Sequence, residues 1–590
     1  GIGFALAKAC RVSYKMHVVL SDIRVNALLD AVGRMRSEVV ESDVDLRVES
    51  FLCDVVEYEE VERLLEFTQN CFPECYIQFL GANAGVMLPE TSVLTGTAEA
   101  WEFVHRVNVL GVVHVLRAFV PLMNAQSVRS IVEVTSSAFG VVPGMRGPYG
   151  SSKLAALGVA EAVYYELKIL QAVHGIEQTN IGFVALCPTT VNADIIGSTL
   201  EVVGNRLHTM APKILRNDGR PPEHEKLREL ISRGMHPDLC AEEVFQHAAK
   251  GQFYCILDND VQRDGFAVGV DRMMKARAQA MLARDVPPPL PTHKGPWGRR
   301  KLNLKELRGG VAVVTGAAAG IGFALGKECV AAGMHVVLSD VRLEKLEEAV
   351  LALQSSSGKL RVEGFRCDVT RIEDVRALLE FTQAAFQDTP IQFVGANAGV
   401  LLPRVTVFTG TTQEWEYTYR VNVLGAVNVL QVFLPRLAMQ SERSILEVTA
   451  SGFGVVPGLR GGSVGVAEAA FYELKRAPSN PLDRISLVVM SPAVVNTNII
   501  QSSVECSPGL SSDPAPGDAA SQLQVDTFKK VIASGMPPEV CAKAVFRHAQ
   551  QGQFYCIQDN DPVRDGFSAG TDPMVKARME AILARGTPPV

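Results

Sequence analysis

The sequence predicts an α/β protein built from two tandem, doubly wound parallel sheets with helices on both faces, and three observations predict it. First, the chain repeats itself: SIVEVTSSAFGVVPGMRG from Ser130 answers SILEVTASGFGVVPGLRG from Ser444, and GQFYCI from Gly251 recurs from Gly552. Second, each copy alternates short β-branched runs with stretches of helical periodicity, the pattern of a parallel sheet covered by helices. Third, in the second copy one such run, Val311 to Val314, leads through TGAAAGIG into a helical stretch from Phe323. Glycines there let the backbone turn tightly and approach a pyrophosphate, which the free N–H groups of a helix N-terminus then favour.

Taken in order, the copies span 1–285 and 303–590, joined at 286–302 by a linker, VPPPLPTHKGPWGRRK, whose prolines favour an extended spacer. The first copy opens at Gly1 with GIG, inside the glycine turn, so its opening strand and the TG before it are expected upstream. The next strand, MHVVLSD, ends at Asp22 in the first copy and Asp340 in the second. An acidic residue there is placed to accept hydrogen bonds from an adenosine ribose, or else merely to cap the strand end. Arg24 and Arg342, two residues on, tolerate a phosphate on that ribose; the cofactor is NAD or NADP, with NAD favoured. His17 and His335 begin the same strand and read as packing residues.

A third strand ends in CDV, at Asp54 and Val55 and at Asp368 and Val369. A fourth reads IQFLGANAGV and IQFVGANAGV, with Asn83, Ala84 and Gly85 answering Asn397, Ala398 and Gly399. The fifth is IVEVTSSAFG, the sixth IGFVALCPTTVNADI or ISLVVMSPAVVNTNI, and the seventh QFYCI. The segments from Gly197 to Met235 and from Gln501 to Met536 diverge most between the copies and are expected to cover the substrate.

A net charge of −7 and the lack of a long basic run speak against nucleic acid and anionic membrane surfaces as partners. No apolar run reaches the roughly 18 residues that span a bilayer. Twelve cysteines are scattered without metal-like spacing, so they read as reduced core thiols in a cytoplasmic protein, and no metal is expected.

Tyr149 and Lys153 are four apart, so on a helix they share one face. A tyrosine keeps its proton to a pKa of about 10, and a nearby cation lowers that value, which makes the pair a proton donor and acceptor near neutral pH. By itself the spacing also fits a solvated surface pair. The second copy reads LRGGSVGVAEAAFYELK where the first reads MRGPYGSSKLAALGVAEAVYYELK. Aligning the shared GVAEA removes the equivalents of Pro148 to Leu154, so the second copy has lost both side chains. Seven residues make nearly two turns, so the excision shifts helical phase by only about 20°. The apolar face of Val466 to Leu474 should therefore point where Val159 to Leu167 points, with Ser463 available as the new cap and Phe471 kept inside.

With these motifs in place the chain resembles the short-chain dehydrogenase/reductase family over both copies. The resemblance rests on TGAAAGIG from Thr315 to Gly322, GIG from Gly1 to Gly3, NAG at Asn83 and Asn397, VNVLG with Asn108 and Asn422, TSSAFG with Ser137, and YGSSK from Tyr149 to Lys153. It implies a seven-stranded Rossmann-type sheet and hydride exchange between alcohol and carbonyl. By the resemblance, Tyr149 is the acid and base, Lys153 lowers its pKa and holds the nicotinamide ribose, Ser137 polarises the substrate oxygen, and Asn108 fixes the active-site helix. Ser136 is the rival serine; Ser137 is preferred because the second copy keeps Ser451 there and has Ala450 for Ser136. The implied cofactor residues are Gly1, Ile2, Gly3, Asp22, Asp54, Val55, Asn83, Ala84 and Gly85 in the first copy. In the second they are Thr315, Gly316, Gly320, Ile321, Gly322, Asp340, Asp368, Val369, Asn397, Ala398 and Gly399. Thr497 keeps the family's threonine near the nicotinamide, whereas Ala193 does not. Family subunits pair through the helices bearing Asn108 and Tyr149, which implies an internal pseudo-dimer or a homo-oligomer.

The resulting expectation is an NAD(P)-dependent oxidoreductase acting on a small-molecule alcohol or carbonyl, with the chemistry in the first copy and cofactor binding alone in the second. The alternative is a nucleotide-binding pseudoenzyme or scaffold.

Overall fold

The computed structural model describes residues 1–257 and 302–558, apart from 39–44, 89–90, 138–146, 175–179, 207–227, 230, 403–406, 451–465, 468, 471–473, 475–480, 482–483, 493, 508, 511–525, 527–528, 531 and 553–554. It divides into two compact units, Gly1–Thr91 with Gly96–Met274, and Ser92–Thr95 with Lys275–Val590. Apart from Leu302, the proline-rich segment 286–302 lies outside the described residues.

Unit 2 carries a seven-stranded parallel sheet. Its strands are β7 (Val311–Thr315), β8 (His335–Asp340), β9 (Val362–Arg366), β10 (Ile391–Ala396), β11 (Ser444–Thr449), β12 (Ile485–Pro492) and β13 (Tyr555–Gln558). They lie in the order β13-β12-β11-β10-β7-β8-β9. All five residues of β7 are buried, as a β-branched run covered on both faces requires. Val313 pairs with Val337 of β8 on one side and Val394 of β10 on the other. The strand order therefore reverses between β7 and β10, and the turn after β7 opens into the crevice where doubly wound sheets take their ligands. The helix Gly320–Ala331 that follows buries Ala324, Leu325 and Cys329 in a core shared with β7, β8 and the helix Pro538–Gln551.

Unit 1 repeats this plan in two pieces. Strands β1 (Val18–Asp22) and β2 (Val48–Leu52) form a two-stranded sheet. Strands β3 (Phe79–Ala82), β4 (Ser130–Thr135), β5 (Ile181–Pro188) and β6 (Tyr254–Leu257) form a four-stranded one. β1 and β3 are the counterparts of β8 and β10, and no counterpart of β7 joins them among the described residues. A cavity of about 1380 Å³ lies there, lined by Val18 and Leu20 of β1 and by Phe79 and Gly81 of β3, and it runs on to Tyr149 and Lys153. Among the described residues unit 1 thus has six strands where unit 2 has seven.

One expectation is corrected. Two helical stretches, Ala98–Ala125 and Thr412–Met439, are long and apolar enough by composition to cross a membrane. Of their most apolar windows 72% and 67% is buried within the fold, which marks them as core helices packed on the sheets. They escape a search for an unbroken apolar run because polar residues such as Asn108 and His114 interrupt them, and these are buried too.

Candidate active site

The site is easiest to build in unit 2, where the turn after β7 is entire. Gly316 has φ +63°, and a Cβ there would stand 2.6 Å from the Ala398 Cα, so only glycine lets the turn lie against the β10 loop. Asn397 holds the two together: its Nδ2 donates to the carbonyls of Thr315 and Gly316 at 2.9 and 3.1 Å. The Thr315 hydroxyl donates to the Gly395 carbonyl at 3.0 Å and accepts from the Asn397 backbone N–H at 3.1 Å. The far side of the turn is tied to β8 by the Ala318 N–H, which donates to Asp340 Oδ2 at 3.1 Å.

A cavity of about 360 Å³ opens above the turn. Gly316, Gly320 and Ile321 floor it, Asp340, Asp368 and Val369 form one wall, and Asn397, Ala398 and Gly399 another. Thr315 and Gly322 do not line it: Thr315 works through its hydroxyl as above, and Gly322 leaves room, since a Cβ there would stand 2.4 Å from the Gly316 carbonyl oxygen and 2.5 Å from Asn397 Nδ2. Thr497 also lines the cavity, and a Cβ on Gly320 would meet its Cγ2 at 3.1 Å. Asp368 accepts from the Thr370 N–H and hydroxyl at 3.0 and 2.8 Å, so part of its carboxylate is spent on its own loop. In unit 1, Gly1, Ile2, Gly3, Asp22, Asp54, Val55, Asn83, Ala84 and Gly85 all line the large cavity.

Asp340 is 5% exposed as a side chain and is gripped by Arg342, whose Nε and Nη2 donate to its two oxygens at 3.1 and 3.2 Å. Arg342 Nη1 reaches Ser502 Oγ at 2.7 Å. Arg24 holds Asp22 the same way, at 3.1 and 3.0 Å, and its Nη1 reaches Ser198 Oγ at 2.8 Å. The sequence places acid and base near one ribose; the structure adds that they form a fork.

In unit 1 the helix Gly147–His174 brings Tyr149, Ser152 and Lys153 to the end of β4. The two candidate serines separate by what their hydroxyls do. Ser136 donates to the Lys153 carbonyl at 2.7 Å and so pins the helix, while the Ser137 hydroxyl is hydrogen-bonded to Tyr149. Asn108 lies fully buried in a π-helical turn, Arg106–Leu110. It pairs with both backbone groups of Val86, accepting at 2.7 Å and donating at 2.9 Å, and donates to Ser152 Oγ at 2.9 Å. Ser152 in turn donates to the Tyr149 carbonyl at 2.8 Å. Gly85 makes room for this: a Cβ there would come within 3.1 Å of Lys153 Nζ and 3.3 Å of Asn108 Oδ1.

Burial, more than charge, sets the electrostatics of the pair. Burial pushes the Tyr149 hydroxyl up to about 12, and the hydrogen bond with Ser137 recovers only part of that shift. The Lys153 ammonium donates to the Thr135 carbonyl at 3.0 Å and stands 6.0 Å from the Tyr149 ring centroid. Burial pulls Lys153 itself down to about 8, against the opposing pull of Glu133.

Unit 2 lacks this helical turn, and residues 451–465, including Ser463 and Ser451, lie outside the described residues, as does Phe471. Where described, the helix keeps its phase: Val466, Ala467, Ala470 and Leu474 are buried, as are their counterparts Val159, Ala160, Val163 and Leu167. Asn422 still accepts from the Val400 N–H at 2.7 Å and donates to its carbonyl at 3.0 Å. It is nevertheless more exposed than Asn108, as loss of the covering turn predicts.

Three further contributors have no sequence motif. Thr199 and Ser503 accept from the Met87 and Leu401 N–H groups at 2.9 and 2.7 Å, tying the helix after the sixth strand to the loop after the fourth. His114 Nδ1 and Asn428 Nδ2 lie 2.9 and 2.8 Å from the Val55 and Val369 carbonyls. Glu133 and Glu447, fully buried, contact Thr135 and Thr449. Their only signal is recurrence in both copies.

Comparison with known proteins accords with this arrangement. A CLA biosynthesis dehydrogenase/reductase from Lactiplantibacillus plantarum is 26% identical over 298 residues, 49% of this chain and 98% of that protein. A C alpha-dehydrogenase from Sphingobium sp. is 25% identical over 301 residues, covering 48% and 95%. Among solved structures, a short chain dehydrogenase/reductase from Burkholderia phymatum in complex with NAD is 24% identical with a TM-score of 0.39, covering 48% of this chain and 98% of that one. The short chain dehydrogenase family matches at residues 1–201 and again at 310–506, and with both copies matched the chain belongs to that family.

Proposed function

We propose that the chain interconverts an alcohol and a carbonyl compound with a nicotinamide cofactor, that the chemistry belongs to unit 1, and that unit 2 holds the cofactor without turnover. The observation that carries this reading is the Tyr149–Ser137 hydroxyl pair, set on a helix whose Lys153 and Ser152 are braced by Ser136 and Asn108. On this reading the two copies run over 1–285 and 303–590, with 286–302 as the spacer.

The residues present fit a dinucleotide. The first turn of the helix Gly320–Ala331 offers the N–H groups of a helix start to a pyrophosphate, the Gly316 turn lets it come close, and Asp340 stands at the end of β8 for a ribose. Gly1, Gly3 and Asp22 hold the same places in unit 1. When bound, the nicotinamide would give or take the hydride. Everything else falls to the chain: Ser137 donates a hydrogen bond to the substrate oxygen, and Tyr149 passes a proton to or from it. Lys153 keeps a positive charge beneath the site, and Asn108 with Ser152 fixes the helix end. Burial keeps Tyr149 neutral at pH 7, the form that carbonyl reduction uses. Asp22 and Asp340 favour NAD over NADP. Twelve free cysteines, nine of them buried, suit a reducing compartment such as the cytoplasm.

The test is turnover by the full chain with NADH or NADPH and a panel of small ketones and aldehydes, followed by nicotinamide absorbance. Tyr149→Phe should lower kcat about 100- to 10,000-fold while leaving cofactor binding in place. The excised turn of unit 2 favours a second reading for the whole chain, nucleotide binding without turnover. NADH binding with no activity across the panel would establish that reading instead.

A further inference from the structure

Beneath the glycine turn of unit 2 lies a hydrogen-bond chain that one proton decides. Thr449 Oγ1 is 3.1 Å from Asn397 Oδ1 and 2.7 Å from Glu447 Oε1. The Asn397 amide cannot be flipped, because its Nδ2 already donates to the Thr315 and Gly316 carbonyls, and an oxygen there would face two others. Its Oδ1 therefore faces Thr449 and must receive that hydroxyl's one proton. With the proton committed, the 2.7 Å contact to Glu447 is a hydrogen bond only if the glutamate donates. Among the described residues Glu447 Oε2 is buried without a partner, a tolerable place for the C=O of a neutral acid and a costly one for a carboxylate.

Unit 1 has the same chain: Thr135 Oγ1 is 3.2 Å from Asn83 Oδ1 and 2.7 Å from Glu133 Oε1, and Glu133 Oε2 also lacks a partner. The geometry points to a proton-bearing positioning residue: Glu447, as the neutral acid, orients Thr449 and through it Asn397, which holds the Thr315–Gly316 turn in the shape that receives the cofactor. That the turn receives a cofactor rests on the function proposed above.

Burial pushes the Glu447 carboxyl up to about 8, and its Thr449 contact pulls the other way. The titratable groups that feel it are the thiols of Cys329 on the helix after β7 and Cys541 on the helix Pro538–Gln551. Both are themselves raised by burial, Cys541 to about 12, so neither titrates alongside the glutamate. Glu133 differs in having Lys153 nearby, which makes unit 2 the cleaner test. Above its titration Glu447, as a carboxylate, would accept the hydrogen bond of the Thr449 hydroxyl and leave two lone-pair faces opposed at Asn397.

The experiment is hydrogen exchange on the Ala317–Gly322 amides of the full chain, with and without NADH, comparing wild type, Glu447→Gln and Glu447→Leu. Glutamine keeps a donor toward Thr449 at every pH; leucine removes it. Near pH 7 the leucine turn should exchange about tenfold faster than wild type, the weight of one buried hydrogen bond, and glutamine should restore most of the protection. At about pH 9.5, beyond the carboxyl's titration, wild type should lose about tenfold relative to the glutamine variant at the same pH. The infrared difference between wild type and Glu447→Gln near pH 7 should show a carboxylic-acid C=O stretch. A carboxylate band there, or a glutamine variant that tracks wild type at both pH values, overturns the proposal. If the variants behave as described and NADH adds no protection to the turn, the proton assignment stands and the cofactor reading of unit 2 falls.

Discussion

Replacing Asp340 with alanine separates the contacts this carboxylate makes in the structure from the cofactor role proposed for it above. It accepts from the Ala318 N–H, from the Arg342 N–H at 3.0 Å, and from Arg342 Nε and Nη2. The side chains are 5% and 17% exposed, so the pair is largely desolvated, and breaking such pairs costs about 3–5 kcal/mol. Arg342 retains Ser502 at 2.7 Å and Glu505 at 3.4 Å, which brings the expected cost to about 2–3 kcal/mol. For the ligand the balance reverses. An adenosine ribose loses its acceptor, a hydrogen bond to a charged group worth about 1.5–3 kcal/mol, while a ribose phosphate loses a like charge and finds a free guanidinium. The NADH to NADPH affinity ratio at this site should then fall by at least tenfold, and a shift of a hundredfold is within the same range of energies. Titrations of both cofactors on the full chain, fitted per site, with Asp22→Ala as the unit 1 counterpart, read this directly. Tighter NADPH than NADH binding in the wild type, or an unchanged ratio in the folded variant, refutes the reasoning.

Two further outcomes follow from contacts within each unit. Ser137→Ala should cut turnover about 100-fold or more with thermal stability near wild type, whereas Ser136→Ala, which unpins the Lys153 carbonyl, should cost about 1–2 kcal/mol of stability and less of kcat; parallel melting and kinetic measurements on the two variants distinguish them. Chemical denaturation across pH tests the buried acid in unit 2: Glu447 moves from an ordinary 4.5 to about 8, so the folded chain keeps a proton that the unfolded chain has released. Its contribution is full below pH 4.5 and is lost as pH rises to about 8, at up to about 1.4 kcal/mol per unit, and Glu447→Gln should flatten that part of the slope.

Much of this was legible because local patterns and global fold agree. The repeat, the strand–turn–helix from Val311 and the NAG loops each depend on a few consecutive residues, and each is found where the periodicity puts it. What was not legible depends on burial. Spacing puts Lys153 one turn from Tyr149, but only the packed structure shows the ammonium turned to Thr135 and desolvation outweighing the cation. Likewise Asp340 and Arg342 are visible as a pair of charges, while the fork that spends one on the other is a matter of rotamers. Ser152, Thr199 and Ser503 escape because a hydroxyl within a helix has no signature until its acceptor or donor is known.

The two copies also act as a comparison made within one chain. Unit 2 has lost the turn bearing Tyr149 and Lys153, so any contact that served only that turn had no reason to persist. The bond from Asn108 to Ser152 has no described counterpart at Asn422, and Asn422 has become more exposed. Yet Asn422 still pairs with both backbone groups of Val400, Asn397 still clamps the glycine turn, and both distances of the Glu447–Thr449–Asn397 chain match those of Glu133–Thr135–Asn83 within 0.1 Å. Arg342 and Ser503 keep their partners as well. Among the described residues these retained contacts run from Glu447 and Thr449 on β11 to the glycine turn after β7 and the loops after β8 and β10. Their recurrence in unit 2 fits the positioning role proposed above for the buried glutamate. A relay serving Tyr149 alone would have nothing to serve in unit 2, and a buried carboxyl with one oxygen unpartnered among the described residues is costly to keep there without another use.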